Sequence, residues 1–202
     1  HRVNHDQFDL DSFDFHNTPA KLQDRKLMLQ GQWPGRGCEH CRNIEQAGGV
    51  SDRMLHLDFH GYRAPPEIDQ NPTATHVTPR ILEIYFSNTC NLKCIYCSPQ
   101  FSSQIKQENI KFGRFYKNGV HIPAHYKIPE EFPEATDRMF RWLDQNIRTL
   151  DQLLILGGEP FIQRETLRLL DFLAEEPADI HLVVFSNLMV SEERLDLIVS
   201  RL

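Results

Sequence analysis

Three cysteines in a C-x3-C-x2-C pattern, Cys90, Cys94 and Cys97, follow directly after a run of strand-forming residues. Cysteine thiolates bind the irons of a 4Fe-4S cluster, so three close cysteines would hold three of its four corners and leave one open for a substrate or cofactor. A zinc site with a distant fourth ligand is the main alternative, and three unrelated buried cysteines are a second one. The pattern favours an iron-sulfur site with an open corner.

Three apolar runs predict the strands of an α/β fold, at residues 80–87, 152–156 and 180–185. The first run is too continuously apolar for a one-sided sheet, which indicates a strand buried on both faces in a parallel sheet. Predicted helices follow the strands, within 98–112, from Pro133, over 165–176 and after a cap at Ser191. Right-handed connections would then give a curved parallel sheet with its site at the carboxyl ends of the strands.

The second predicted strand runs straight into Gly157, Gly158, Glu159 and Pro160. Two glycines let the backbone approach a ligand closely, and the carboxylate is placed where it can pair with an ammonium group. An ordinary strand-to-helix turn is the alternative for this short stretch. The third predicted strand is followed by Ser186 and Asn187 at the same edge.

These motifs resemble the radical S-adenosylmethionine (SAM) superfamily, whose signature is C-x3-C-x2-C with an aromatic residue before the last cysteine, here Tyr96. The resemblance implies that Cys90, Cys94 and Cys97 are cluster ligands and that Tyr96 lies beside the adenine of SAM. It implies a partial (βα) barrel, usually of six units, of which about three are visible here.

The same resemblance extends to the other two motifs. In this superfamily a G-G-E-P sequence binds the amino group of the methionine part of SAM, which assigns cofactor binding to Gly157, Gly158 and Glu159. Ser186 and Asn187 are similar to a T-N-G sequence found after the next strand, although Leu188 replaces its glycine. Because the glycine is replaced, the resemblance leaves two interpretations of Ser186 and Asn187 open, a contact with SAM or no contact.

The N-terminal third is predicted to be a small, mostly helical accessory region, residues 1–61, joined by a proline-rich linker, 62–79, to the core, 80–202. Asn17, Thr18 and Pro19 predict a helix start, and Gly31 its end. Residues 25–53 resemble the accessory segment of radical SAM proteins with a twitch or SPASM-like domain.

Cys38 and Cys41 form a C-x2-C pair that leaves three interpretations open. With His56 and His60 the spacing satisfies a broad zinc-finger template, although Gly48 and Gly49 interrupt the helix such a finger needs. The family resemblance implies an auxiliary iron-sulfur cluster, for which this chain offers two cysteines only. Two free thiols that pack a small subdomain are the third interpretation.

The charge and the cysteine content of the chain limit which binding partners are expected. The formal net charge of −6 and pI near 5.9 give no long-range attraction to nucleic acid. Five cysteines in two clusters fit metal or cluster binding in a reducing compartment, and no apolar run approaches a bilayer span or a signal peptide, so a cytoplasmic protein without a membrane partner is expected. A start at His1 and an end at Leu202 inside a predicted helix indicate a fragment of a longer barrel.

The resemblance implies an oxidoreductase-type radical SAM enzyme that cleaves SAM to a 5'-deoxyadenosyl radical and abstracts hydrogen from a substrate. A peptide or protein side chain, or else a small molecule, is the expected substrate, and a flavodoxin or ferredoxin is the expected type of electron donor. A nucleotide- or RNA-modifying radical SAM enzyme is one alternative. A zinc- or cluster-binding module without turnover is another.

Overall fold

The structure is a computed structural model that describes residues 12–55, 68, 70–113, 116–117, 120–121, 132–176 and 179–202. The chain forms two compact units, residues 1–79 and residues 80–202. Within the described ranges, no helix has both the length and the apolar character needed to cross a membrane.

Among the described residues of the N-terminal unit are the helices α1 (Pro19–Leu29) and α2 (Glu39–Gln46). Helix α1 begins as predicted, because the Thr18 hydroxyl accepts a hydrogen bond from the Lys21 amide at 3.4 Å and Pro19 needs no amide partner in the first turn. Asn17 fixes the segment that leads into this helix, since its side-chain oxygen accepts from Arg25 Nη2 at 2.7 Å and from the Val77 amide at 2.9 Å.

The C-terminal unit is built on a three-stranded parallel sheet, in the order β1 (Ile81–Tyr85), β4 (Gln152–Leu156), β5 (His181–Val184). Ile81 aligns with Gln152, which in turn aligns with His181, so the strands begin in register and their carboxyl ends meet at one edge. A short antiparallel pair, β2 (Tyr116–Lys117) and β3 (Val120–His121), lies in the long connection between the first two strands of the sheet.

Among the residues that the structure describes, four α-helices accompany the sheet: α3 (Ser103–Phe112), α4 (Phe132–Asn146), α5 (Arg164–Glu175) and α6 (Glu192–Val199). Apolar residues in the second half of α4 and in the turn after it join the core, as their helical spacing predicts. That core contains Ile84, Phe86, Phe140, Leu143, Ile147, Leu150, Leu153, Ile155 and Leu169. The three βα units expected from the sequence are therefore present.

The prediction that β1 is buried on both faces is wrong for the described structure. Ile84 is buried, but its neighbours Glu83 and Tyr85 are exposed. The reason is that successive side chains of a strand point to opposite faces, and the helices pack on the face that carries Ile84, Leu153 and Ile155. A half barrel is consistent with this sheet, whose other face is the less buried one.

Candidate functional site

The cysteine loop, residues 86–102, leaves the carboxyl end of β1 and is anchored at its first cysteine. The Cys90 amide donates to Ser103 Oγ at 3.1 Å, and the same hydroxyl donates to the Cys90 carbonyl at 3.2 Å. The Ser102 hydroxyl caps α3 and also donates to the Leu92 carbonyl at 2.9 Å. The loop is thus held against the first turn of α3, and Cys90 is buried there.

Cys94 and Cys97 lie on the outer part of the loop. Tyr96, between them, is 86% exposed, and its pKa is raised by a hydrogen bond to Cys94 and by the charges of Cys94 and Cys97. Burial raises the pKa of Cys97, and the charges of Cys90 and Cys94 raise it further. The three sulfurs are therefore close enough to affect one another electrostatically.

The convergence of Cys90, Cys94 and Cys97 on one cluster stays a prediction. Among the residues whose placement the structure gives, no three His, Cys, Asp or Glu side chains are grouped so that they could hold a metal ion. The ligand role of the three cysteines stays a prediction.

The glycine loop, residues 157–163, follows β4 and packs tightly against the cysteine loop. Gly157 and Gly158 have φ values of +83° and +56°. A Cβ on Gly158 would lie 2.3 Å from the Thr89 carbonyl oxygen, and one on Gly157 would lie 2.5 Å from the Tyr85 ring. Both positions therefore require glycine for conformation and for space, as the sequence motif indicated.

Glu159 is almost completely buried and is tied to two other loops. Its amide donates to the Thr89 carbonyl at 2.8 Å. Its carboxylate accepts from the Ser186 hydroxyl at 2.6 Å, from the Asn187 amide at 2.7 Å and from the Phe161 amide at 3.0 Å. The carboxylate thus faces the loop after β5, residues 185–190, which we call the Ser-Asn loop.

Asn91 closes the ring of contacts between the three loops. The side-chain oxygen of Asn91 accepts from Asn187 Nδ2 at 3.0 Å, and the side-chain nitrogen Nδ2 of Asn91 donates to the Met189 carbonyl. Asn187 also orders its own loop, because its side-chain oxygen accepts from the Met189 amide at 2.8 Å. Sequence reasoning missed Asn91, since an asparagine beside a cysteine carries no distinctive pattern.

Leu188 occupies the position at which the resemblance predicts a glycine. Its φ is +58°, in the left-handed region that glycine adopts without strain. The Leu188 amide donates a hydrogen bond to the Ser186 hydroxyl at 2.9 Å. Leu188 therefore adopts a backbone conformation that glycine would adopt without strain.

In the N-terminal unit, Cys38 is the N-cap of α2 and Cys41 lies one turn later on the same helical face. A cavity of about 320 Å³ beside Cys38 is lined also by Trp33 and Arg53, whose guanidinium stacks on the indole at 4.8 Å. The further zinc ligands proposed from the sequence, His56 and His60, lie outside the described residues. The structure brings no third ligand to this pair within the ranges it describes.

The cysteine loop suits an iron-sulfur cluster in its donor chemistry. Thiolates are the ligands such clusters take, and the Leu92 amide donates to the Cys90 sulfur at 3.4 Å. The residues therefore fit the group that the motif predicts.

Comparison with known families agrees with this arrangement. The model of the radical SAM superfamily matches residues 84–200, which is more than half of the chain and includes all three loops. No curated protein and no solved structure shows significant similarity to the chain. The superfamily match implies a 4Fe-4S cluster, SAM and a reductant in general terms. From the match and the motifs it covers, the chain belongs to the radical SAM superfamily.

Proposed function

We propose that the C-terminal unit holds a 4Fe-4S cluster through Cys90, Cys94 and Cys97, and binds SAM against the glycine and Ser-Asn loops. The observation that carries this proposal is the closed ring of hydrogen bonds at the carboxyl edge of the sheet. Glu159 joins the glycine loop to both other loops, and Asn91 joins the cysteine loop to the Ser-Asn loop. Ligands of parallel α/β folds bind at this edge.

A 4Fe-4S cluster held by Cys90, Cys94 and Cys97 would supply the electron for cleavage of SAM to methionine and a 5'-deoxyadenosyl radical, which would take hydrogen from the substrate. The residues of the chain have supporting tasks. Gly157 and Gly158 let the glycine loop pack closely on Tyr85 and Thr89, and Glu159 would place a negative charge near the ammonium group of SAM. The exposed ring of Tyr96 offers a surface on which adenine can stack.

A peptide or protein side chain is the proposed substrate, and a small molecule is the second choice. The acidic composition supports this over a nucleotide or RNA substrate, because a net charge of −6 gives no general attraction to phosphates. A flavodoxin or ferredoxin is the proposed reductant. A metal-binding module without turnover is the alternative outside catalysis.

We further propose that residues 1–61 are a twitch or SPASM-like accessory region in which Cys38 and Cys41 bind an auxiliary iron-sulfur cluster. The helical spacing of the two thiols at the start of α2 supports a shared metal. The Cys38→Ala, Cys41→Ala double variant tests this: an auxiliary cluster predicts the loss of about four irons per chain. Loss of zinc would favour the histidine-completed site, and loss of no metal would favour two packed thiols.

The catalytic proposal is tested with anaerobically reconstituted protein, dithionite and SAM. We expect methionine and 5'-deoxyadenosine to accumulate, and the Cys94→Ala variant to form neither. Ser200→Ala is the control, since Ser200 is exposed at the end of α6 and lies outside both proposed metal sites. Reconstituted protein with a full cluster that never cleaves SAM would contradict the enzyme proposal and favour the binding module.

A further inference from the structure

Gln163 begins helix α5 without capping it. It is the N-cap residue, yet its side chain makes no capping hydrogen bond. Serine, threonine, aspartate or asparagine at this position would cap the helix, and glutamine does not. The side chain is nevertheless almost completely buried. A buried polar side chain that gives up the cap must have partners elsewhere.

Those partners are three backbone carbonyls on two loops. Gln163 Nε2 lies 3.1 Å from the Gly157 oxygen, and 3.4 Å from the oxygens of Ser87 and Thr89. The first carbonyl belongs to the glycine loop, and the other two precede Cys90 in the cysteine loop. A single carboxamide thus bridges the proposed SAM loop and the proposed cluster loop.

The glycine loop and the cysteine loop are tightly packed where Gln163 bridges them. The Thr89 oxygen also accepts from the Glu159 amide at 2.8 Å, and a Cβ on Gly158 would lie 2.3 Å from that oxygen and 2.9 Å from Gln163 Nε2. Small shifts of either loop would therefore break these contacts or produce a clash. Gln163 Nε2, the donor between the two loops, therefore limits how far apart they lie.

The backbone of Gln163 is itself fixed from a third side. Arg194, in the first turn of α6, donates from Nη2 to the Gln163 carbonyl at 3.1 Å and from Nε to the Phe161 carbonyl at 2.7 Å. The helix that follows the Ser-Asn loop therefore holds the residue from which the carboxamide extends. This arrangement leaves the side chain little freedom to turn away.

We propose that Gln163 is a positioning residue that sets the separation of the cysteine and glycine loops, and with it the alignment of the cluster with the amino-acid end of SAM. The second half of this inference rests on the proposed function. Gln163 touches neither reacting group, so it acts through Gly157, Ser87 and Thr89.

Gln163→Met removes the donor and keeps the length, while Gln163→Glu keeps the shape and turns an oxygen toward the carbonyls. Gln107→Met, on the exposed side of α3, is the matched control. In reconstituted protein we expect both Gln163 variants to bind iron as the control does. The SAM concentration that half-converts the electron paramagnetic resonance spectrum of the reduced cluster should rise about tenfold, the effect of losing one hydrogen bond.

A purely structural role gives a different result. Lower melting temperature or iron content with an unchanged SAM response per cluster would overturn the proposal.

Amide hydrogen exchange in the metal-free protein separates this inference from the proposed function. The Glu159 amide, bonded to Thr89, should exchange about tenfold faster in Gln163→Met than in Gln107→Met. Equal exchange would overturn the role of Gln163, whereas a wild-type chain that takes up no iron would overturn the proposed function alone.

If neither variant folds, the carboxamide protons of Gln163 in the unaltered protein should exchange more slowly than those of Gln107, and equal rates would overturn the inference.

Discussion

The Ser186 hydroxyl donates a hydrogen bond of 2.6 Å to the buried carboxylate of Glu159, and so joins the loops that follow β4 and β5. The amides of Asn187 and Phe161 donate to the same carboxylate. A carboxylate offers about four acceptor positions, so three donors leave room for about one more. Glu159 therefore stabilises the edge of the sheet whether or not it also receives an ammonium group.

Glu159→Gln is expected to weaken SAM binding by about 1.5 to 3 kcal/mol, because it removes the charge from one partner of a hydrogen bond. The Kd for SAM, measured by equilibrium dialysis, checks this, and the absorption spectrum of the cluster should be unchanged. Ser186→Ala is the control, since it removes a neutral donor and keeps the charge. Equal affinity in Glu159→Gln and wild type would show that Glu159 only holds the turn.

The glycine loop illustrates what the sequence could predict. The strand 152–156 is found at the predicted residues, and both glycines have the positive φ that a close approach requires. The orientation of Glu159 was beyond sequence reasoning, because its partners Ser186 and Asn187 lie 27 and 28 residues away. Such contacts depend on how the strands are ordered, which single-sequence patterns do not encode.

Gly158→Ala should destabilise the C-terminal unit by more than the usual cost of a left-handed residue, which is about 1 to 2 kcal/mol. Its Cβ would lie 2.3 Å from the Thr89 oxygen, so the cysteine loop must shift. Gly48→Ala separates the two causes, because Gly48 has a φ of +78° with nothing within 4 Å of its Cβ. Urea denaturation checks the difference, and an equal loss in both variants would contradict the close packing.

Leu188→Gly should raise the free energy of unfolding by about 0.5 to 1 kcal/mol, because glycine adopts its φ of +58° without strain. The side chain is exposed, so little packing is lost. Leu188→Ala keeps the strain and should bring no gain in thermal denaturation. If alanine stabilises as much as glycine does, the gain comes from removing an exposed apolar side chain.

Lowering the pH should destabilise the N-terminal unit, because protonation of His16 favours the unfolded chain. Its pKa is lowered to about 4, chiefly by burial and then by Lys21 and Arg25, while Asp14 opposes the shift. Because the unfolded chain titrates near the ordinary value, it binds more protons than the folded chain between these two values, so stability falls as pH drops from about 6.5 to about 4.

Allowing for solvent screening, we expect this loss to be about 1 kcal/mol. Urea denaturation followed by Trp33 fluorescence at several pH values in this window checks it. His16→Gln should lose less stability than the wild type, and the exposed control His40→Gln should lose as much. Identical pH profiles for His16→Gln and the wild type would contradict the assignment.

The cysteine loop shows where prediction from sequence ends. The spacing of Cys90, Cys94 and Cys97 identified the superfamily that the family match then showed. Gln163 and Asn91 could not be found in the same way, since one lies at an unremarkable helix start and the other beside a cysteine. Their importance comes from carbonyls and amides of distant loops, which carry no signal in the sequence.

The central claim is that Cys90, Cys94 and Cys97 hold a 4Fe-4S cluster. Iron and sulfide per chain, measured after anaerobic reconstitution of the wild type and of the variant with all three replaced by alanine, test it most directly. The variant should contain about four irons and four sulfides fewer than the wild type, the content of one such cluster. Equal iron in the two proteins, or zinc in place of iron in the wild type, would contradict the claim.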